Sequence, residues 1–391
     1  MRTAKLKDIT LTITDGKHGD CKNHDGSGYY FISCKDVYDE TIHYENARQI
    51  TEDDFRDADR RTNLAAYDIL ITNSGTIGRM ALVKDIPETR KTTFQKSVAI
   101  VRADTSQVVP NYLYYLLKSK VHDFINSSNG SAQKNLLLST MRDFDISFVD
   151  SFETQHRIAT ILSRYDSLIE NYQKQIKLLE EAAQRLYKEW FVDLRFPGHE
   201  NTNIVDGVPE GWDKKKVGEV IAKVPRSKQI PTKDYQNEGA IPIIDQSRDY
   251  IAGYTDDIES RVESNEPYIV FGDHTRILKY VPFPFAKGAD GTQLIMSNNL
   301  DLMPQCLLFT SLVSVDLSNY SYARHFKYLK EEEILVPTAS IANAFSKHVA
   351  KWYAKIQLNR EQLRFLTEAR DRLLPQLMSG EIEAKQQSIR T

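Results

Sequence analysis

The chain has 391 residues, too many for one ordinary core, so two or more domains are expected. Hydrophobic residues make up 41% and charged residues 27%, with 17 Gly and 13 Pro, which excludes a fibrous or low-complexity chain. A net charge of −3 argues against a uniformly basic surface, but a local basic face is compatible with it.

The opening MRTAKLKDITLTITDG has no apolar run of the signal-peptide kind, and no stretch is long and apolar enough to span a bilayer. Cys21, Cys34 and Cys306 are scattered, with no CxxC pair, which fits a reducing compartment and makes a zinc site unexpected. A cytoplasmic protein is the expectation.

Residues 1–150 read as a mixed α/β domain. Short β-rich runs occur at YYFISC (29–34), DILIT (68–72), GRMALV (78–83) and SVAIV (97–101), separated by the turn-rich DGKHGDCKNHDGSG and NSGTIG. One helix is predicted at 111–125, with Pro110 at its start.

From Phe152 to Trp190 the pattern changes. Ile158, Leu162, Tyr165, Ile169, Tyr172, Ile176, Leu179, Ala183, Leu186 and Trp190 follow 4-3 spacing, with charged or polar residues between them. A sustained heptad with a polar exterior predicts a coiled-coil helix over 151–192, within which about 37 striped residues would reach roughly 55 Å. Residues 193–210, rich in Gly, Pro and Asn, read as a linker.

A second α/β domain is predicted over 211–338, with runs at AIPII (240–244), PYIVFG (267–272), KYVPFPFA (279–286), QLIM (293–296) and LMPQCLLFTSLV (302–313). The heptad then returns over 339–380: Phe345, Val349, Trp352, Ile356, Asn359, Leu363, Leu366, Arg370, Leu373 and Leu377 each lie 187 residues after a counterpart. Leu179, Glu181, Ala182, Arg185 and Leu186 match Leu366, Glu368, Ala369, Arg372 and Leu373 at that shift, so the pair reads as a duplication. Pro375 is expected to bend or end this helix and Gly380 to stop it, with 381–391 as a tail.

A lone helix cannot bury such a stripe, so each needs a partner. The simplest closure is an antiparallel intramolecular pair; a homodimeric coiled coil is the alternative. The fold class is therefore mixed α+β: two α/β domains separated by long antiparallel coiled-coil helices, with a pseudo-twofold internal repeat. Asn359 suits a seam residue that fixes register.

The order domain–helix–domain–helix resembles the specificity (S) subunit of type I restriction–modification systems. YDILITNSGTIGRMALV (67–83), the helix ends RLYKEWFVDLRFPG (185–198) and RDRLLPQLMSGEI (370–382), and FGDHTRILKYVPFPFAKGADG (271–291) are similar to that family's recognition domains and repeats. The resemblance implies a non-catalytic DNA-recognition subunit, each recognition domain reading half of a split site and the helices setting the gap. It also implies two methyltransferase subunits and further restriction subunits as partners. S-adenosylmethionine, ATP and Mg²⁺ then belong to those partners. No GxxxxGK[ST] loop or methylation motif appears in this chain.

Base reading needs donor- and acceptor-bearing side chains on loops, supported by phosphate contacts. In the first domain the candidates are Lys17, His18, Lys35, Asn73, Ser74, Thr76, Gln95, Lys96, Gln133, Lys134 and Asn135. In the second they are Arg226, Lys228, Gln246, Ser247, Arg248, His274, Thr275, Arg276, Lys287, Tyr322, Arg324 and His325. For any one of these a solvated loop role competes with DNA contact, and Asp273 reads as a turn former. Trp190, Phe191, Leu194 and Phe196, with Leu374, Leu377 and Met378, are either core packing or an apolar patch for a methyltransferase subunit. Two rival readings are a structural coiled-coil protein whose heads do not bind DNA and an enzyme that fuses recognition to catalysis.

Overall fold

The structure is a computed structural model that describes residues 1–126, 135–320 and 324–384. The chain divides into two units, Met1–Ile169 with Phe365–Thr391, and Glu170–Arg364. Each unit holds one α/β domain and a stretch of both long helices.

In the first unit an antiparallel sheet runs in the order Thr10–Asp15, Val98–Ala103, Ile69–Thr72 and Met80–Leu82. Ile69, Leu70, Ile71, Val98 and Ala99 are fully buried on both faces, which is why these runs read as continuous apolar stretches. A parallel pair, Tyr30–Ile32 with Thr92–Phe94, extends the domain. The helix Pro110–Ser119 buries six consecutive residues, Tyr112 to Leu117. A second helix, Glu52–Thr62, has no counterpart in the predicted elements. It is almost entirely charged, capped by Thr51 and held by the narrow stripe Phe55, Ala58 and Thr62.

The second unit has a four-stranded sheet in the order Gly253–Thr255, Ile241–Ile244, Phe285–Lys287, Arg261–Val262, and a three-stranded sheet with Tyr268–Gly272 between Leu278–Val281 and Thr292–Ile295. The predicted run 279–286 is split into two strands in different sheets, because Pro282 and Pro284 cannot continue a ladder. The helix Gln305–Val313 is entered from Pro304, as the first unit's helix is entered at Pro110.

The duplication is visible bond by bond. In the first domain Arg2–Lys5 pairs antiparallel with Asp145–Phe148; in the second Asp213–Lys216 pairs with Glu333–Val336. Leu6 N donates to Phe144 O at 2.9 Å and Val217 N to Glu332 O at 2.8 Å. Lys5 N donates to Asp8 and Lys216 N to Glu219, each a carboxylate three residues on. Leu6 and Val217 are both fully buried.

The long helices span Phe152–Tyr187, followed by a π-helical turn at Lys188–Val192, and Ala339–Ser379. They pair antiparallel within each unit. In the first, Ile158 and Leu162 share a core with Leu374, Leu377 and Met378, and Asp166 meets Arg370. In the second, Gln175 meets Asn359, Glu180 meets Arg360, and Tyr187 and Phe191 pack on Phe345. The partner of each stripe is thus the chain's own second helix. Pro375 does not end the C-terminal helix, which continues one further turn. So near the terminus its missing N–H removes a single bond. Gly380, at φ +76°, then closes it, with Ile382 N donating back to Gln376 O.

The two polar seam residues are both buried. Asn359 donates to Gln175 Oε1 at 3.2 Å while its own carbonyl oxygen has no partner. Arg370, 6% exposed, binds Asp166 Oδ1 at 2.8 Å and Glu40 at 2.8 and 2.9 Å. Around it Tyr115 donates to Asp166 at 2.5 Å and Lys118 to Glu40 at 2.6 Å. Glu40 lies at the tip of the hairpin Val37–Ile42, where Asp39 (φ 46°) and Glu40 (φ 61°) both take the left-handed conformation.

Candidate nucleic-acid interface

In the first domain the sequence-predicted loops converge. Lys17 pairs alongside Gln95, and Lys96 N donates to Lys17 O. Gln95 N donates to Ile32 O, Cys34 N to Ser97 Oγ, and Asn73 N to Ser97 O. Leu136 N donates to Asn73 O, and Ser74 pairs with Asn135. These bonds gather 16–18, 34–35, 73–76, 95–97 and 135 into one cluster. Gly16 is required there, since a Cβ would lie 2.1 Å from Phe94 O. Gln133 and Lys134 lie outside the described residues.

The members differ in availability. Lys35 and Lys96 are exposed, as is Arg79, a cation at the end of NSGTIGR that the sequence reading passed over. Lys17 is held by Asp57 at 3.0 Å, which raises its pKa through that hydrogen bond, so its charge is locally compensated. His18 contacts Asp15 at 3.0 Å, and Asp15 also binds Arg61. Asn73 is buried and its Oδ1 has no partner.

In the second domain the equivalent hairpin, Tyr268–Gly272 with Leu278–Val281, carries the turn 273–276 where the first carries 73–78. Three segments meet at it. Gln246 Oε1 accepts from His274 N, its Nε2 donates to Asp290 O at 2.9 Å, and Thr275 Oγ1 donates to Gln246 O at 2.6 Å. Asp273 N donates to Gly291 O. Gln246 and Thr275 therefore tie loops together, and Ser247 is bound to Asp245 Oδ1. Arg276 bonds Leu317 O, and Lys228 is paired with Asp257 at 2.7 Å and Glu259 at 3.2 Å.

His325 departs from the expectation of a reading residue. It is 4% exposed, with Nδ1 on Asp273 O and Nε2 on Tyr320 O, so both ring nitrogens are used internally. Asp273 Oδ1 accepts from Phe326 N at 2.8 Å, so its side chain fastens the 273–276 turn to the helix that carries Phe326 rather than shaping the turn itself. Arg248, His274 and Arg324 are exposed, and Arg226 and Lys287 share a cleft. Tyr322 lies outside the described residues.

Beneath the loop 245–249 lies Lys279, 4% exposed, which donates to Asp249 O and sits 3.8 Å from Asp245 Oδ1. Burial lowers its pKa to about 8 despite the two aspartates, which act the other way. Tyr250, at the end of that loop, donates to Tyr280 O and has the Arg360 guanidinium 4.0 Å above its ring.

The apolar candidates are mostly core. Phe191, Phe196, Leu374, Leu377 and Met378 are all under 8% exposed. Phe191 and Phe196 stack around Trp212 at 5.3 and 4.7 Å, which gives the predicted linker its order. Their apolar surface faces the interior and is not offered to a partner. Trp190 and Leu194 are half-buried, and the exposed apolar residue at this turn is Val192.

Each unit thus carries its own loop cluster on a repeated frame of strand pair and antiparallel helices, and the two clusters differ in side chains. The chain is similar to the specificity subunits of type I restriction–modification systems. Residues 3–181 match the family model described as "Type I restriction modification DNA specificity domain". The chain is 29% identical to the type I restriction enzyme MjaIX specificity subunit of Methanocaldococcus jannaschii, over 93% of this chain and 89% of that one. It is 22% identical to the EcoR124I/EcoR124II specificity subunit of Escherichia coli, over 46% of this chain and 48% of that one. The fold matches the crystal structure of a type I S subunit from M. genitalium with a TM-score of 0.60 at 16% identity, covering 96% of both chains. Among the described residues no helix is long and apolar enough to cross a membrane, and no group of His, Cys, Asp or Glu is arranged for a metal ion.

Proposed function

We propose that this chain is the non-catalytic DNA-recognition subunit of a type I restriction–modification complex, each domain reading one half of a bipartite site. The paired helices set the unread gap between the halves. Two methyltransferase subunits dock on the duplicated frame, restriction subunits join them, and S-adenosylmethionine, ATP and Mg²⁺ are bound by those partners. The complex works on cytoplasmic DNA.

The observation that carries this reading is the pairing of sameness and difference. The strand that opens each domain, the strand that leaves it and the helix that follows are repeated, while the loops at 73–78 and 273–276 differ in length and side chains. A repeated frame supplies equivalent docking positions, and unlike loops supply unlike half-sites.

The test is an exchange of residues 1–150 for the first domain of a relative, with methylation mapped across genomic DNA in the presence of methyltransferase subunits. One half-site should change while the other half-site and the gap persist. A change in both halves, or in neither, refutes the assignment.

A further inference from the structure

Several cations of the second domain are matched to carboxylates: Lys228 to Asp257 and Glu259, Lys216 to Glu331, and Lys214 to Glu333. One cleft breaks this pattern. A cavity of about 360 Å³ is lined by Arg226, Ser227, Gln229, Lys287 and Gln293, with Leu294 on its wall. Its volume lies in the ~300–1,000 Å³ range of ligand clefts.

The polar groups in it are uncommitted. The Lys287 ammonium meets no carboxylate at ion-pair distance among the described residues; Asp290 acts on it only from further away. Half-burial lowers its pKa, which is the signature of a cation that has lost water without gaining a counter-ion. The Ser227 hydroxyl is buried and has no hydrogen-bond partner. Arg226, Gln229 and Gln293 contribute further donors with no side-chain bonds among the described residues.

The cleft is also rigidly built. Lys287 ends the strand Phe285–Lys287, Gln293 lies in the strand Thr292–Ile295, and the 224–229 segment is fastened to the first by the Gln229–Lys287 bridge and by Ile230 N donating to Lys287 O at 3.0 Å. From Lys287 the chain runs directly into the 288–291 turn, which Gln246 and Asp273 tie to the 273–276 turn. The cleft therefore borders the candidate reading loops.

We infer that this cleft is a phosphate seat, in which Lys287 and Arg226, aided by the Ser227 hydroxyl and the Gln229 and Gln293 amides, hold one DNA backbone phosphate beside the second half-site. The inference rests on the DNA-recognition reading. A phosphate supplies the anion that the unpaired ammonium lacks and the acceptors that the free donors lack. It anchors the register of the loops and carries no sequence information itself.

The experiment uses the full chain and a random-sequence duplex pool, measuring affinity and selected sequences over a salt series. Lys287→Met should weaken binding about five- to tenfold and lower the log–log salt slope by about one, because one fewer counterion is released. The selected sequences should not change. Lys287→Arg should retain the slope, and Arg226→Gln, at an exposed position, should repeat the Lys287→Met result without burdening the fold. An unchanged slope in both charge-removing variants, or an altered base preference, overturns the phosphate seat. Inorganic phosphate is the second probe. If it raises the wild-type melting temperature at matched ionic strength while the DNA slope stays unaffected by the variants, the cleft is a free-anion site and the proposal fails. Wild-type chain that binds no duplex at any salt sinks the DNA-recognition reading itself, an outcome distinct from a DNA-binding chain indifferent to Lys287.

Discussion

Arg370 is the residue whose removal tests the packing argument most sharply. Its guanidinium bridges Asp166 on the first helix and Glu40 on the hairpin tip, with all three contacts at 2.8–2.9 Å. Arg370→Met leaves two carboxylates facing each other with the bridging cation gone. Breaking a buried pair costs about 3–5 kcal/mol. Glu40 and Asp166 retain side-chain exposures of 31% and 21%, so the lower end, about 3 kcal/mol, applies. The hairpin tip adds to the effect, since its two left-handed non-glycine residues persist only while their surroundings hold them. At ~2–4 °C per kcal/mol, the first unit should melt about 6–12 °C lower. Urea unfolding of Arg370→Met, and of Arg370→Met combined with Glu40→Gln and Asp166→Asn, gives the readout. The triple variant should recover part of the loss, because it removes both facing carboxylates and leaves only the Lys118 ammonium without its partner. A single variant costing under ~1 kcal/mol, or a triple variant no better than the single, would show that this network does not hold the domain to its helices.

Two further outcomes follow from the second unit. Asn359→Leu should stabilise it by about 1–2 kcal/mol in thermal melts, because it removes a buried carbonyl oxygen without a partner. The same substitution should broaden the gap lengths accepted in methylation maps if Asn359 sets register; a narrower or unchanged gap distribution contradicts that role. Lys279 titrates near pH 8 when folded and near 10.5 when unfolded, so the unfolded chain binds more protons between those values. Wild-type stability should therefore rise relative to Lys279→Met from about pH 8 to 10, by on the order of 2 kcal/mol, followed by urea midpoints across that window. A flat difference would place the ammonium in contact with water.

The helices and their duplication were legible in the residues because heptad spacing is a local property, and Asn359 and Arg370 marked themselves as the two breaks in the stripe. The helix Glu52–Thr62 was not, since only Phe55, Ala58 and Thr62 face inward and eleven polar-rich residues mimic a loop. In the candidate interface, loop membership was readable but the fate of each side chain was not. Gln246 and His325 have the chemistry of base readers, yet tertiary closure engages their polar atoms internally. Gln229 and Gln293 sit in unremarkable contexts, and only the fold brings them beside Lys287. Val192 and Arg79 were similarly invisible, because exposure depends on what packs nearby.

The strand that opens each head lies hydrogen-bonded to the strand that closes it, Arg2–Lys5 on Asp145–Phe148 and Asp213–Lys216 on Glu333–Val336. Entrance and exit are thus neighbours, and everything between them hangs from the frame like a cassette from its clip. A genetic crossover that joins one such clip to another replaces the contents whole and leaves the shared heptads uncut. The architecture lets a lineage acquire a new specificity in a single recombination, where point mutations in a loop must proceed one contact at a time.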